Sequence, residues 1–243
     1  MPSAPGRSAP KPRSSTDSTP LGVPLFVLNL KVYPNCLGGA AVRIGSAFDQ
    51  ALRDAGLRGA IAPATPDLGT LARELRTPVI AQHADAVEAG PHTGYVVPEA
   101  IAAAGGRGSL VNHSEHRLAF PDIAAVLERL SAVGLEAVLC ARDIEDSRGV
   151  ARLHPRFLAV EPPELIGGTR SVSAAQPSVV SGTVAAVREV WPATHVLCGA
   201  GIHTRTDVRR AFELGAEGIL VSSAVTRAAD PGSAIAELIA GFP

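Results

Sequence analysis

The chain has 243 residues, 46% of them apolar, with 22 Lys plus Arg against 23 Asp plus Glu and a formal net charge of −1. That length suits a single α/β barrel with a tail and is short for two full domains. A near-neutral charge and only 4% aromatic residues give neither the basic field nor the stacking platforms that nucleic acid or an anionic membrane would use. Cys36, Cys140 and Cys198 are odd in number and lack a CxxC or Cys/His spacing, so neither a disulfide framework nor a zinc or other metal site is expected. No apolar run reaches the roughly 18 residues of a membrane span, and residues 1–20 lack the apolar core of a signal peptide. A cytoplasmic protein without nucleic-acid or membrane partners is the expectation.

Residues 1–22 hold five Pro and five Ser and show no apolar period. They cannot bury enough surface to offset their ordering entropy, so a disordered extension is expected over 1–22 and the folded domain over 23–243. Eight short apolar runs follow: Leu25 to Leu30, Gly59 to Pro63, Pro78 to Gln82, Ser109 to Asn112, Leu135 to Cys140, Phe157 to Val160, His195 to Cys198 and Gly218 to Val221. Continuous apolar runs suit strands buried on both faces, and helical periods between them force parallel crossovers. Helices are expected over Asp122 to Ala132, Ala174 to Val190, Thr204 to Leu214 and Asp230 to Ala240, the last with Asp230 as N-cap and Pro231 at the first helical position.

Eight strand-helix units of about 27 residues each fit a closed (β/α)8 barrel of eight parallel strands. The open doubly wound alternative needs a glycine-rich turn after the first strand, and Asn29-Leu30-Lys31-Val32-Tyr33-Pro34 contains no glycine.

Barrel chemistry sits where strands end, so polar residues closing the apolar runs are the candidates. Asn29 and Lys31 close the first run, Gln82 and His83 the third, Asn112-His113-Ser114-Glu115 the fourth and Glu161 the sixth. The chain has 20 Arg but only two Lys, and Lys11 lies in the tail, which leaves Lys31 as the single lysine of the folded body. An ammonium there could reach an anionic substrate or simply snorkel to solvent. Glu161, followed by Pro162-Pro163, is either a general base strengthened by burial or an ion-paired rim residue. His113 precedes an expected short helix opening at Ser114, whose dipole would keep the imidazole neutral; the alternative is a structural histidine. Gly167-Gly168, Gly199-Ala200-Gly201 and Ser222-Ser223 stand after the last three runs, where barrel loops hold phosphate through backbone N–H groups, although each could be a plain turn.

Taken in order, Asn29-Leu30-Lys31, Ala81-Gln82-His83, His92-Thr93-Gly94, Asn112-His113-Ser114-Glu115, the run from Ala159 through Glu161 to Gly167, and Cys198-Gly199-Ala200-Gly201-Ile202 resemble the triosephosphate isomerase family in its short archaeal type. The likeness spans the chain from about Leu25 to the C-terminus.

The resemblance implies an isomerase of dihydroxyacetone phosphate and D-glyceraldehyde 3-phosphate, of glycolysis and gluconeogenesis, that uses no cofactor or metal. It implies catalytic roles for five residues: Glu161 shuttles the proton, His113 polarises the carbonyl, Lys31 faces the substrate, Asn29 donates beside it and Glu115 orients the lysine. Backbone N–H groups of Ile166, Gly201, Ser222 and Ser223 would hold the phosphate, with Asn29 and Lys31 also contacting substrate. Residues 162–170 would form a lid, and the loop around His92-Thr93-Gly94 would carry self-association into a dimer or tetramer.

Three departures from the family pattern stand out. The lid reads Ile166-Gly167-Gly168-Thr169-Arg170 instead of ending Thr-Gly, His116 replaces the first of two arginines, and Ser222-Ser223-Ala224 replaces Ala-Ser-Gly. A different phosphate-binding barrel enzyme, such as a phosphosugar lyase or synthase, and a non-catalytic phosphotriose-binding barrel are the alternatives.

Overall fold

The computed structural model describes residues 21–162 and 177–243. Most of the expected N-terminal extension, the lid with Ile166 and the Gly167-Gly168 pair, and the first residues of the helix expected from Ala174 lie outside the described residues. Of the extension, Leu21 and Gly22 are described, and Leu21 is buried.

Among the described residues, seven strands form one parallel sheet: β1 (Leu25–Asn29), β2 (Arg58–Ala62), β3 (Gly108–Val111), β4 (Glu136–Ala141), β5 (Phe157–Val160), β6 (His195–Cys198) and β7 (Gly218–Val221). Their spatial order is β2-β1-β7-β6-β5-β4-β3. The remaining expected run, residues 78–82, closes the ring between β2 and β3 through isolated parallel bridges, Ile61 to Val79 and Ala81 to Ser109. Pro78 has no N–H to give a ladder, which cuts regular pairing at its start. The other groups of this stave bond on both sides: Ile61 N–H donates to Pro78 O, Ile80 N–H to Ile61 O, Ala81 N–H to Gly108 O and Leu110 N–H to Ala81 O, all at 2.8–3.0 Å. The eight expected staves therefore make an (β/α)8 barrel, with boundaries displaced by one residue at several ends.

Strand side chains alternate between two cores. Leu25, Val27, Ala60, Ile80, Leu110, Val138, Phe157, Ala159, Leu197 and Leu220 fill the inside of the barrel, and Leu21 joins them. Phe26, Leu28, Ile61, Val111, Leu139, Leu158, Val196 and Ile219 face outward to the helices. Each strand is thus buried on both faces, the reason its sequence reads as an unbroken apolar run.

The outer helices start where the sequence provides caps. Thr204 and Asp207 form a reciprocal capping box ahead of Arg205–Glu213. The Asp230 side chain accepts from the N–H of Gly232 and Pro231 opens the helix Pro231–Ile239. Helix Phe120–Ala132 begins two residues before the expected Asp122, with Pro121 in its first turn.

Neighbouring strands approach closely at Gly108 and Gly218, where an added Cβ would collide with the carbonyl oxygens of Glu136 and Leu25. Gly218→Ala is expected to destabilise the barrel by about 2–3 kcal/mol through this overpacking. A urea denaturation midpoint unchanged from the parent would contradict that packing.

Candidate active site

Alternation decides which side chains reach the carboxyl-end mouth. Counting on by two from Val27, Ile80, Leu110, Ala159, Leu197 and Leu220 of the inner core leads to Asn29, Gln82, Asn112, Glu161, Gly199 and Ser222. Asn29, Asn112 and Glu161 are buried, so each polar group there needs a partner.

Asn29 and Gln82 together hold Lys31. Lys31 adopts a left-handed backbone with φ of 50°, a strained conformation for a residue with a side chain. Its N–H donates to Asn29 Oδ1 at 2.9 Å. Its carbonyl accepts from Gln82 Nε2 at 2.9 Å, and the same amide donates to Ala62 O at 3.0 Å. The strained residue is thereby gripped at both backbone polar groups, and its ammonium pairs with Glu115 Oε1 at 2.7 Å. The lysine side chain is 14% exposed, so it is not snorkelling to solvent.

Asn112 also has a left-handed φ, 59°, which asparagine tolerates better than most residues. Its Nδ2 donates to Cys140 O and its Oδ1 accepts from Leu118 N–H, both at 2.9 Å. Arg117 Nη1 donates to the Asn112 carbonyl at 2.8 Å.

The short helix expected at Ser114 is a turn, closed by His116 N–H on His113 O at 2.8 Å, and the helix proper starts at Phe120. Side chains claim the N–H groups instead: Ser114 donates to Glu161 Oε2 at 3.2 Å and Glu115 donates to His113 Nδ1 at 3.2 Å. No helix dipole therefore acts on His113 at this turn; its ring is held by a hydrogen bond instead. With Nδ1 accepting the Glu115 N–H, Nε2 is left as the donor of the ring.

His113 Nε2 lies 3.1 Å from Glu161 Oε1, and Asn29 Nδ2 stands 3.5 Å from the same nitrogen. Both carboxylate oxygens of Glu161 thus face donors, one from His113 and one from Ser114. Cys140 lies beneath them; burial first, then the neighbouring Glu161 charge, push its thiol well above the usual range and keep it protonated.

Asn29, Lys31, His113 and Glu161 also line a narrow cavity with Gly199, Gly201, His203, Ser222 and Ser223. Gly201 has a φ of 62°, the left-handed turn that aims this loop across the mouth. A second cavity of about 690 Å³ shares Asn29, Lys31 and His113 and extends under Thr93, Gly94 and Tyr95.

The structure thus gathers Asn29, Lys31, His113, Glu115, Glu161, Gly201, Ser222 and Ser223 at one mouth. Ile166 lies outside the described residues. Gln82 and Asn112, candidates as strand-end residues, position Lys31 and the His113 turn, and Arg117, which the sequence did not single out, braces that turn.

His116, one of the departures noted above, stacks on His83 with ring centroids 3.8 Å apart and planes 10° from parallel. Asp85 Oδ1 is 3.2 Å from His83 Nε2, and Asp85 Oδ2 accepts from Val96 N–H at 2.6 Å, bracing the loop that carries Thr93. His116 is exposed overall, yet partial desolvation first, then the His83 charge, hold its imidazole below its usual 6.5 against an opposing pull from Asp85. Among the described residues no group of three or more His, Cys, Asp or Glu is placed to hold a metal ion, and no helix is long and apolar enough to cross a membrane.

Residues 24–241 match the family model described as triosephosphate isomerase. The triosephosphate isomerase of Methanothermus fervidus is 44% identical over 216 residues, covering 89% of this chain and 97% of the relative. That of Methanocaldococcus jannaschii is 43% identical over 215 residues, covering 88% and 98%. The Methanosarcina acetivorans enzyme is 42% identical over 219 residues, covering 90% and 99%.

Two outcomes follow from this geometry. A Cβ at position 199 would stand 2.7 Å from Glu161 Cγ and 2.9 Å from Val160 O; Gly199→Ala is therefore expected to displace the carboxylate and cost roughly 100-fold in kcat, and a turnover within twofold of the parent would refute it. A histidine held below its unfolded value stays neutral in the fold while the unfolded chain takes up a proton. His116 accordingly contributes stability that is present above pH 6.5 and lost as pH falls below it. Denaturant titrations from pH 7.5 to 5.5 should show this slope flattened in His116→Asn; an equal slope in both proteins would contradict it.

Proposed function

This chain belongs to the triosephosphate isomerase family, and from that premise we propose how its residues divide the work of the family's reaction. It interconverts dihydroxyacetone phosphate and D-glyceraldehyde 3-phosphate. One observation carries the assignment of roles: His113 Nε2 and Glu161 Oε1 meet at 3.1 Å in a buried mouth, beside a cation and a glycine-lined cavity.

Glu161 takes a proton from the hydroxyl-bearing carbon next to the carbonyl and returns it to the former carbonyl carbon. His113 donates from Nε2 to the carbonyl oxygen, where negative charge develops as the enediolate forms. The donor is in place before the charge appears, so little reorganisation is needed at the moment of reaction. Asn29 Nδ2, aimed at the same point because its oxygen is held by Lys31 N–H, adds a second donor.

Lys31 supplies the positive charge that draws an anionic substrate to the mouth, and Glu115 sets its direction. Backbone N–H groups of Ile166, Gly201, Ser222 and Ser223 hold the phosphate. No metal or organic cofactor is required, because only protons move: Glu161 carries one between adjacent carbons, and His113 gives one to the former carbonyl oxygen and regains one from the hydroxyl oxygen that becomes the new carbonyl. Lys31 stands just after β1, the first strand of the barrel, in contact with a carboxylate, which gives a Schiff-base lyase no support, and nothing favours a non-catalytic barrel.

The same reading includes a cytoplasmic location and self-association as a dimer or tetramer. The exposed apolar side chains of Val32 and Tyr95 at the edge of the larger cavity support the latter.

A coupled assay of glyceraldehyde 3-phosphate isomerisation tests the whole reading. Glu161→Gln is expected to lower kcat by roughly 10²–10⁴-fold. His113→Ala should cost roughly 10²–10³-fold. An inactive parent protein, or a Glu161→Gln variant as fast as the parent, would remove the proposal.

A further inference from the structure

Of the residues lining the narrow cavity, two carry buried side-chain atoms with no hydrogen-bond partner among the described residues, and the roles given so far do not use them: His203 Nε2 and Ser222 Oγ. Both residues line the narrow cavity beside Glu161, with Gly199, Gly201 and Ser223. A buried polar atom without a partner is unfavourable, and such atoms persist where a ligand or water completes them.

The backbone explains why these atoms are left over. His203 lies just ahead of the helix Arg205–Glu213, and its N–H donates to Asp207 Oδ2 at 3.0 Å, beside the Thr204 capping box. The chain at 203 is therefore pinned by the helix start while the ring stays with the cavity. Ser222 is held in the same manner: its carbonyl accepts from the N–H groups of Val225 and Thr226 at 3.0 and 2.9 Å and from Thr226 Oγ1 at 3.1 Å. Its hydroxyl takes no part in that cap.

The two orphans share a chemistry. A hydroxyl can donate one proton, and a neutral imidazole protonated on Nε2 can donate another. Lys31 and the glycines Gly199 and Gly201 line the same cavity. A phosphate monoester, rich in acceptor oxygens and without an N–H of its own, satisfies such donors in a way that a neutral hydroxyl group does not.

We propose that His203 Nε2–H and Ser222 Oγ–H donate to the phosphate of the bound triose, adding two side-chain donors to the backbone amides and making His203 a determinant of phosphate affinity. This rests on the triose-phosphate reading above and assigns a function to side chains which that reading leaves idle. A contact to the phosphate is made equally in the ground state and the transition state, so its loss appears in KM more than in kcat.

The test compares the parent with His203→Ala, His203→Gln and Ser222→Ala. It reads kcat and KM for glyceraldehyde 3-phosphate, the inhibition constant of inorganic phosphate, and the calorimetric binding of inorganic phosphate to each protein. For His203→Ala, KM and the phosphate inhibition constant should both rise roughly tenfold, with kcat lowered no more than about threefold. His203→Gln, which retains an N–H near the Nε2 position, should recover most of the loss, and Ser222→Ala should weaken phosphate binding several-fold.

Phosphate affinity within twofold of the parent in both His203→Ala and Ser222→Ala would overturn the proposal. So would a fall in kcat with phosphate inhibition unaltered, the signature of a structural role. If His203→Ala does not fold, His203→Gln and Ser222→Ala still decide the matter against the same thresholds. A parent that binds phosphate through these side chains but fails to isomerise trioses would count against the functional reading and leave this one standing.

Discussion

Ring closure is the constraint on which every other feature of this protein depends. A parallel sheet of seven strands has two edges, and each edge exposes unpaired N–H and C=O groups. Residues 78–82 remove both edges at once by bonding to β2 on one side and β3 on the other, even though Pro78 cannot donate. The same closure delivers Gln82 to Lys31 and Ala62. The stave that completes the barrel also braces the strained lysine at its mouth, so stability and site geometry draw on one set of bonds.

A buried carboxylate is costly unless its oxygens are matched. Glu161 meets that condition with His113 and Ser114, two residues of one short turn after β3. That turn is fixed from below by the Asn112 side chain and from the side by the Arg117 guanidinium. The Lys31 to Glu115 ion pair then ties it to β1. Polar groups from three strands form one connected network, with the protonated Cys140 thiol under the carboxylate. The donor for a developing oxyanion and the acceptor for a proton thus stand in contact, each positioned by the same network.

Much of this was legible in the sequence because burial on both faces produces continuous apolar runs, and a period of two carries the inner wall outward to Asn29 and Glu161. The Thr204 and Asp230 caps were legible for a similarly local reason: each satisfies N–H groups two or three residues away. Ser114 shows the opposite case. A serine and a glutamate after a strand look like a helix start, yet their N–H groups are taken by Glu161 and by the His113 ring. A bond to a residue 47 positions away leaves no local trace.

By itself the sequence determined the barrel class, the order of its staves and which residues stand at strand ends, since these follow from short-range periodicity and chain order. Only the tertiary structure decided that Gln82 grips the strained Lys31, that His113 Nδ1 accepts from Glu115, and that His203 and Ser222 face one cavity with side-chain atoms unpartnered among the described residues. Each of those facts is a hydrogen bond, or the lack of one, between residues that meet only when the ring is closed. Such partners are selected by distance in space, which no spacing along the chain encodes.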